Sequence, residues 1–289
     1  MIDTFIPGAI TGFFVIHDSV DIDLAGTTGF SICMSQGLRM RIVAIPSKLH
    51  RARYYTNGRK TSIPISEHVY DSSLGYLKEA YDMTFLYRPQ VAIGAGFGMS
   101  GATALGTAYS ISRLQPSIDY GLLAYRAEAH VKGGYGDVVS QMNGGAMLRL
   151  APGINSKVIQ IEPGAHKLVC AVFGPLSTKS ILGDSALVER INGEGSRCLE
   201  KAMEDKRIET MMRLSNRFSN KVSLATPRLM EAIDSVTSVN TMPASMSMLG
   251  ESLFTLALDE DIPAILDVLD ECDAELIVTD VWRAGIEHS

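Results

Sequence analysis

The stretch from Ala92 to Ile111, AIGAGFGMSGATALGTAYSI, combines three closely spaced glycines with one serine and a run of small residues. The run from Ser100 to Ser112, with Leu105 and Tyr109 four residues apart, predicts a helix that packs closely on its neighbours. The apolar residues Val91 to Ile93 before the glycines predict a short strand. A glycine-rich loop before a helix is suited to bind an anion, because the first amides of a helix have no intrahelical acceptor.

Several known glycine loops can be compared with this one. The segment from Gly96 to Gly101 matches GxGxxG, but a dinucleotide fold requires a strand after the helix, and residues Ser117 to Lys132 predict a second helix instead. A Walker loop would need a lysine, and a hydrolase elbow would need glycine where Ala102 stands. The general mechanism remains: backbone amides bind an anion, and the Ser100 hydroxyl offers an oxygen ligand for Mg²⁺. A tight turn that only permits close packing remains an alternative.

Two carboxylates follow the loop in the stretch EAHVKGGYGD, Glu128 near the end of the second helix and Asp137 in a predicted glycine-flanked turn. Phosphoryl transfer needs an aimed acceptor hydroxyl, a group that accepts its proton, and metal ions that offset the phosphate charge. We predict that Glu128 completes the shell of Mg²⁺ and that Asp137 orients and deprotonates the hydroxyl. In a plainer interpretation, Glu128 pairs with Lys132 on a helix surface and Asp137 is a solvated turn residue.

The rest of the chain mixes predicted strands and helices. Apolar, partly alternating segments predict strands at residues 30–45, 142–153, 158–163, 168–175, 246–258 and 274–281. Helices are predicted between Asp184 and Val239 and from Pro263 to Cys272. Pro152 and Gly153 mark a boundary, so we expect two domains, residues 1–155 and 156–289.

Composition excludes several classes of protein. The chain has 289 residues, of which 46% are hydrophobic and 20% charged, as in ordinary globular proteins. A net charge of −6 disfavours nucleic acid as a partner. The absence of a basic leader and of a long apolar run predicts no membrane association and a cytoplasmic protein. The cysteines are scattered and are expected to be reduced thiols: Cys33, Cys170, Cys198 and Cys272.

In their order along the chain, these motifs resemble the GHMP kinase superfamily, which includes galactokinase, homoserine kinase and mevalonate kinase. The resemblance is carried by a G-x-G-x-S loop before a helix, a glutamate on the next helix and a G-x-x-D turn followed by two glycines: Gly96, Gly98, Ser100, Glu128, Asp137, Gly144 and Gly145. Within the superfamily, IPGAITGFFVIH, GFGMSGATAL, GGYGDVVSQMNGG and SMSMLGESLF are most similar to the archaeal pantoate kinase family. The resemblance extends from Pro7 to Phe254.

The resemblance implies a two-domain α+β fold, in which each domain is a mostly antiparallel sheet packed with helices and the active site lies in the cleft between them. It implies a kinase that uses ATP and Mg²⁺ to phosphorylate the primary hydroxyl of pantoate, giving 4-phosphopantoate for coenzyme A synthesis. Ser100 and Glu128 would bind the metal, and Asp137 would be the base. The nucleotide would lie on the loop formed by Gly94, Ala95, Gly96, Phe97, Gly98, Met99, Ser100 and Gly101.

The chain departs from the superfamily pattern in three places. Met99 replaces the first of two loop serines, and Ala92 stands where a proline is common. The first motif, at residues 7–9, lacks the usual basic residue, which disfavours galactokinase and mevalonate kinase. The last motif keeps Gly250 without the usual glycine cluster.

Pantoate carries a carboxylate, which requires a cation. Arg149, on the predicted strand after the glycine pair, could grip it with two parallel hydrogen bonds, although a surface arginine is an equal alternative. Thr27 is a weaker candidate, and Tyr125 is a further one for which core packing is the alternative. Homoserine, shikimate or mevalonate as acceptor, an NAD(P)-dependent oxidoreductase and a noncatalytic nucleotide binder also remain open. A homodimer is expected by default.

Overall fold

Two long strands form the centre of the first sheet in the computed structural model, which describes residues 1–131, 136–174 and 184–288. The strands of this sheet are β1 (Ile2–His17), β2 (Gly26–Pro46), β3 (Arg51–Thr56), β4 (Arg59–Lys60), β5 (Tyr81–Pro89), β6 (Ala146–Arg149), β7 (Val158–Ile161) and β12 (Glu287–His288). Their order is β12-β1-β2-β5-β3-β4, and β6 pairs with both β2 and β7. Only β3 and β5 run parallel among the pairs of the described chain.

The second sheet is antiparallel and has the order β11-β8-β10-β9. Its strands are β8 (Lys167–Gly174), β9 (Ser245–Met246), β10 (Glu251–Ala257) and β11 (Glu275–Asp280). The predicted α+β class with mostly antiparallel sheets is therefore confirmed.

Helices cover both sheets and form one continuous hydrophobic core with them. They are α1 (Pro64–Ser73), α2 (Met99–Ser112), α3 (Tyr120–His130), α4 (Asp137–Asn143), α5 (Ser185–Glu204), α6 (Ile208–Val222), α7 (Pro227–Val239) and α8 (Ile262–Leu269). The last of these continues into a 3₁₀ turn at Asp270–Cys272. Helix α2 packs on β1 and β2, whereas α7 packs on β9 and β10.

The predicted helix after the glycine loop is confirmed, and it begins at Met99. The second predicted helix is α3, with Asp119 as N-cap accepting a hydrogen bond from the Leu122 amide at 3.0 Å. Lys132, the predicted end of that helix, lies outside the described residues.

Two local predictions are wrong. Val91 to Ile93 do not form a strand, because the chain leaves the sheet after Pro89 and the side chain of Ile93 is 65% exposed. Asp137 does not lie in a turn but is the first residue of α4. Its neighbours Val138 and Val139 are both buried, so the packing of this short apolar segment stabilises a helix there.

Helices from the second half of the chain pack directly on the first sheet. Both α5 and α6 lie against β1, and two glycines permit this close approach. A side-chain carbon on Gly12 would overlap with the hydroxyl of Ser215 in α6, and one on Gly195 in α5 would overlap with the carbonyl of Phe14. The first sheet also takes β7 and β12 from beyond residue 155. The division into domains 1–155 and 156–289 stays a prediction.

All four cysteines are free thiols, as predicted, and Cys33, Cys170 and Cys198 are buried. Within the described residues, none of the helices has the length and hydropathy needed to cross a membrane.

Candidate active site

In the loop between β5 and α2, glycines with left-handed backbone conformations alternate with residues whose side chains are buried. Gly94, Gly96 and Gly98 adopt left-handed conformations with φ of 85°, 80° and 66°, which side chains rarely tolerate. Between them, the side chains of Ala95 and Phe97 are buried in the core. The loop therefore exposes backbone rather than side chains on its outer surface, as an anion site requires.

Four consecutive carbonyls of this loop accept hydrogen bonds from the protein. The pairs are Ser252 Oγ to Ala95 O at 2.6 Å, Ser247 Oγ to Gly96 O at 2.7 Å, Ala9 N to Phe97 O at 3.0 Å and Gln141 Nε2 to Gly98 O at 2.8 Å. In a trans peptide the carbonyl and the next amide point in opposite directions. The amides of residues 96–99 therefore point away from these donors and are preorganised for an anion, together with the first amides of α2.

The turn at residues 247–250 clamps the loop from the second half of the chain. Leu249 has a φ of 66°, a strained conformation for a branched residue. Gly250 is needed here, because a side-chain carbon at this position would overlap with the carbonyl group of Ala95. The last sequence motif thus contacts the glycine loop, although it lacks the usual glycine cluster.

Two carboxylates and an amide converge beside the start of α2. A side-chain carbon placed on Gly101 would lie 3.0 Å from Asp137 Cβ, 3.1 Å from Gln141 Oε1 and 3.3 Å from Glu128 Oε1. The structure therefore brings together the loop, Glu128 and Asp137, which the sequence predicts as one site. Ser100 is exposed and adjacent to Gly101 at the same helix start.

Burial raises the pKa values of both carboxylates. Glu128 is completely buried, and burial, followed by the charge of Asp137, raises its pKa well above the ordinary value. Asp137 is partly exposed, and burial raises its pKa to about 6, while the nearby Arg149 guanidinium acts in the opposite direction. The interpretation of Glu128 as a surface helix residue is therefore wrong. Neither of its carboxylate oxygens has a partner that meets full hydrogen-bond geometry in the described part of the chain, although the nearby backbone amide of Val138 acts to lower its pKa.

Arg149 lies beneath Asp137 in a buried hydroxyl network. Its Nη1 donates to Ser31 Oγ and Ser140 Oγ, each at 2.8 Å, and its Nη2 donates to Thr27 Oγ1 at 3.2 Å. Its side chain is 1% exposed, so the surface-arginine interpretation is wrong, and burial lowers the pKa of the guanidinium. Its Nε has no partner among the described residues. One edge of the guanidinium, Nε and Nη2, therefore retains hydrogen-bonding capacity beside Asp137.

Tyr125 is buried in the core, and its hydroxyl is hydrogen-bonded to the backbone. Its ring is 1% exposed, and its hydroxyl donates to the carbonyl of Ala25 and accepts from the amide of Gly153 at 3.1 Å. These contacts join the start of β2 to the segment after β6. A contact of Tyr125 with a substrate stays a prediction.

A cavity of about 610 Å³ is bordered by Ile93 and Met99, at the two ends of the loop. It lies between residues 56–64, which connect β3 to α1, and the start of α2. Apolar side chains, including Leu38, Ile63 and Met99, form part of its wall, and Asn57 and Thr61 add polar groups.

Sequence reasoning missed five side chains that shape the site. They are Ser31, Ser140, Gln141, Ser247 and Ser252. Gln141 follows Asp137 by four residues, so a predicted helix there would have placed both on one face. Ser31, Ser247 and Ser252 carry no comparable signal, because their partners are distant in sequence.

Relatives of known name match nearly the whole chain, although no family model matches it. A pantoate kinase from Methanocaldococcus jannaschii is 29% identical over 270 residues, covering 92% of this chain and 96% of its own. A pantoate kinase from Thermococcus kodakarensis is 29% identical over 295 aligned positions, covering 98% of this chain and 96% of its own.

Solved structures agree with these relatives. A protein described as a phosphotransferase related to the CoA biosynthesis pathway superimposes with a TM-score of 0.91 at 26% identity, over 100% of this chain and 98% of its own. Homoserine kinase from Cytophaga hutchinsonii shares the fold, with a TM-score of 0.72 at 17% identity over 100% of this chain and 97% of its own. The chain therefore has the fold of the GHMP kinases, and over nearly its full length it is similar to the pantoate kinases.

Proposed function

We propose that this protein is a pantoate kinase, which transfers the terminal phosphoryl group of ATP to the primary hydroxyl of pantoate in coenzyme A synthesis. The observation that carries the proposal is the convergence of Asp137 and Glu128 on Gly101, beside a glycine loop whose carbonyls at residues 95–98 all accept hydrogen bonds from the protein. The similarity to named pantoate kinases selects the acceptor.

In the proposed mechanism, the loop amides hold the triphosphate and Asp137 aims the acceptor hydroxyl at its terminal phosphorus. The new bond forms between the acceptor oxygen and phosphorus, the bridging bond to the β-phosphate breaks, and ADP leaves. The carboxylate of Asp137 accepts the hydroxyl proton. A pKa of about 6 leaves this carboxylate ionised at neutral pH and able to act as base.

The residues present fit a bound Mg²⁺. The two buried oxygens of Glu128 have no donor in the described chain, and a hard cation would satisfy them. We propose that Glu128 and the hydroxyl of Ser100 hold the metal, which when bound offsets the charge on the phosphate oxygens.

We propose that the nucleoside part of ATP occupies the 610 Å³ cavity next to the loop. The cavity begins where the phosphate loop ends, so one nucleotide can span both. Ile93, 65% exposed on the rim, offers an apolar surface for the base. Residues 56–64 would supply the opposite wall.

We propose that Arg149 grips the carboxylate of pantoate through its Nε and Nη2 edge, with Thr27 beside it. Replacing Arg149 by alanine should raise the KM for pantoate by about tenfold or more and that for ATP by much less, since a charge-assisted bond contributes roughly 1.5–3 kcal/mol. Steady-state kinetics with each substrate varied would measure this. Equal changes in both KM values would contradict the assignment.

The direct test is ADP release from Mg·ATP with a panel of pantoate, homoserine, mevalonate and shikimate. We expect pantoate to give the highest kcat/KM. Preference for another acceptor would keep the kinase and change its substrate, whereas ATP binding without transfer would favour a noncatalytic binder. An oxidoreductase is disfavoured, because three helices follow the loop before the next strand. A cytoplasmic homodimer stays part of the proposal, and sedimentation would measure the oligomeric state.

A further inference from the structure

Gln141 joins the phosphate loop to the helix that carries Asp137. It lies one turn after Asp137 on α4, on the same face, and is completely buried. Its Nε2 donates to the carbonyl of Gly98, the left-handed N-cap of α2, at 2.8 Å. Because a carbonyl only accepts hydrogen bonds, this contact fixes the amide orientation and turns Oε1 to the other side.

The Oε1 atom of Gln141 is buried and has no donor in the described part of the chain. The same holds for both oxygens of Glu128, and Oε1 of each residue lies close to Gly101. An ionised carboxylate and an amide oxygen cannot satisfy each other, since both are acceptors. A buried unpaired acceptor costs roughly 1–3 kcal/mol, so a group of three indicates a ligand that brings donors or positive charge.

We propose that Gln141 is a positioning residue that couples the phosphate loop to the metal. Its NH₂ group holds the Gly98 carbonyl, and thereby the loop amides, in place. Its Oε1 accepts a hydrogen bond from a water molecule bound to the Mg²⁺ that Glu128 and Ser100 would hold, since Mg²⁺ in proteins usually keeps several waters. This inference rests on the proposed function.

Two substitutions distinguish the role of the NH₂ group of Gln141 from the role of its Oε1 atom. Gln141→Leu removes both the donor to Gly98 and the oxygen near Glu128. Gln141→Glu keeps the shape and an oxygen near Glu128, but it places a carboxylate oxygen against the Gly98 carbonyl. Gln160→Leu is a matched control, because Gln160 makes the same type of bond, from Nε2 to the carbonyl of Gly144 at 3.1 Å, outside the phosphate loop.

The measurement is calorimetric titration of the full-length protein with ADP, with and without Mg²⁺, accompanied by thermal unfolding. In the wild type, Mg²⁺ should tighten ADP binding. Gln141→Leu should weaken metal-free ADP binding by about five- to tenfold and reduce the Mg²⁺ enhancement by a similar factor, as loss of one hydrogen bond at each end predicts. Gln141→Glu should weaken metal-free binding but keep the enhancement. Gln160→Leu should stay within about twofold of the wild type.

A folded Gln141→Leu protein with wild-type ADP affinity and wild-type Mg²⁺ enhancement would overturn the inference, even if its melting temperature were lower. If that variant does not unfold cooperatively, the isosteric Gln141→Glu decides, and unchanged metal-free affinity there would overturn it. Absence of ADP binding by the wild type would instead refute the proposed function itself.

Discussion

Asp137 combines proximity to Arg149 with partial exposure, which keeps its carboxylate both ionisable and accessible to an acceptor. Replacing it with asparagine keeps the shape and removes the base. We expect kcat to fall by about 10²- to 10⁴-fold, the usual contribution of a positioned base. A coupled ADP assay measures this, with the exposed Asp234→Asn on α7 as control. Near-normal turnover would remove Asp137 from the mechanism.

Glu128 lowers the stability of the ligand-free protein, because its two carboxylate oxygens are buried without donors in the described residues. Glu128→Gln would supply an NH₂ group that can donate to Gln141 Oε1 or to Asp137. We expect the free protein to gain about 1 kcal/mol of stability and to lose most of its response to Mg²⁺. Thermal unfolding with and without Mg²⁺ and ADP measures both effects, with exposed Glu189→Gln as control. A lower melting temperature would argue against an uncompensated carboxylate.

For individual residues, the sequence pointed to the two carboxylates of the proposed site but not to the side chains that support the loop. Asp137 and Glu128 stand in motifs whose residue types and order already indicate phosphoryl transfer. Ser247 and Ser252 contact loop carbonyls 151 and 157 residues earlier in the chain, and no local pattern reports such contacts. The sequence indicated Arg149 as a candidate but could not show that it is buried. Burial of a charged residue depends on the hydroxyl groups that tertiary structure brings to it.

Among the elements, the turn at residues 247–250 packs against the glycine loop, which is the proposed phosphate site. Gly250→Ala would push a methyl group into the carbonyl of Ala95 and displace the loop. We expect the KM for ATP to rise by about tenfold or more, with a smaller change for pantoate, since small displacements of binding groups are costly. Kinetics with each substrate varied would test this. Similar KM values to the wild type would show that the loop tolerates the shift.

Helices α2 and α4 show why the sequence predicted one helix and missed another. The apolar and small residues of α2 extend over 14 residues, long enough for a clear helical pattern. Helix α4 has only seven residues, follows glycines and begins with aspartate, all typical of a turn. Packing of Val138 and Val139 overrides that local preference.

For the whole molecule, the contact of α5 with β1 links the two halves of the chain. Gly195→Ala would overlap with the carbonyl of Phe14, whereas Gly193→Ala, on the same helix, meets no atom within 4 Å. We expect the first substitution to destabilise the protein by about 1–3 kcal/mol and the second to stabilise it by about 0.5–1 kcal/mol. Denaturant unfolding measures both. Equal effects would contradict close packing at this contact.

The overall class could be predicted because strand and helix patterns are local and the motifs appear in a distinctive order. The sheet membership of β6 and β12 could not, because β6 pairs with β2 and β12 pairs with β1 across more than a hundred residues, and such pairing leaves no periodic signal. The chain reverses direction between β6 and β7, near Pro152, yet the hydrogen-bonded first sheet continues beyond that point, and the division into two domains stays a prediction.

The serine contacts to Ala95 and Gly96 have a consequence for biosynthesis. Ribosomes release the glycine loop long before Ser247 and Ser252 are translated, so a nascent chain lacks the donors that orient those peptide groups. The proposed nucleotide site would then mature only after the segment that carries both serines has been translated.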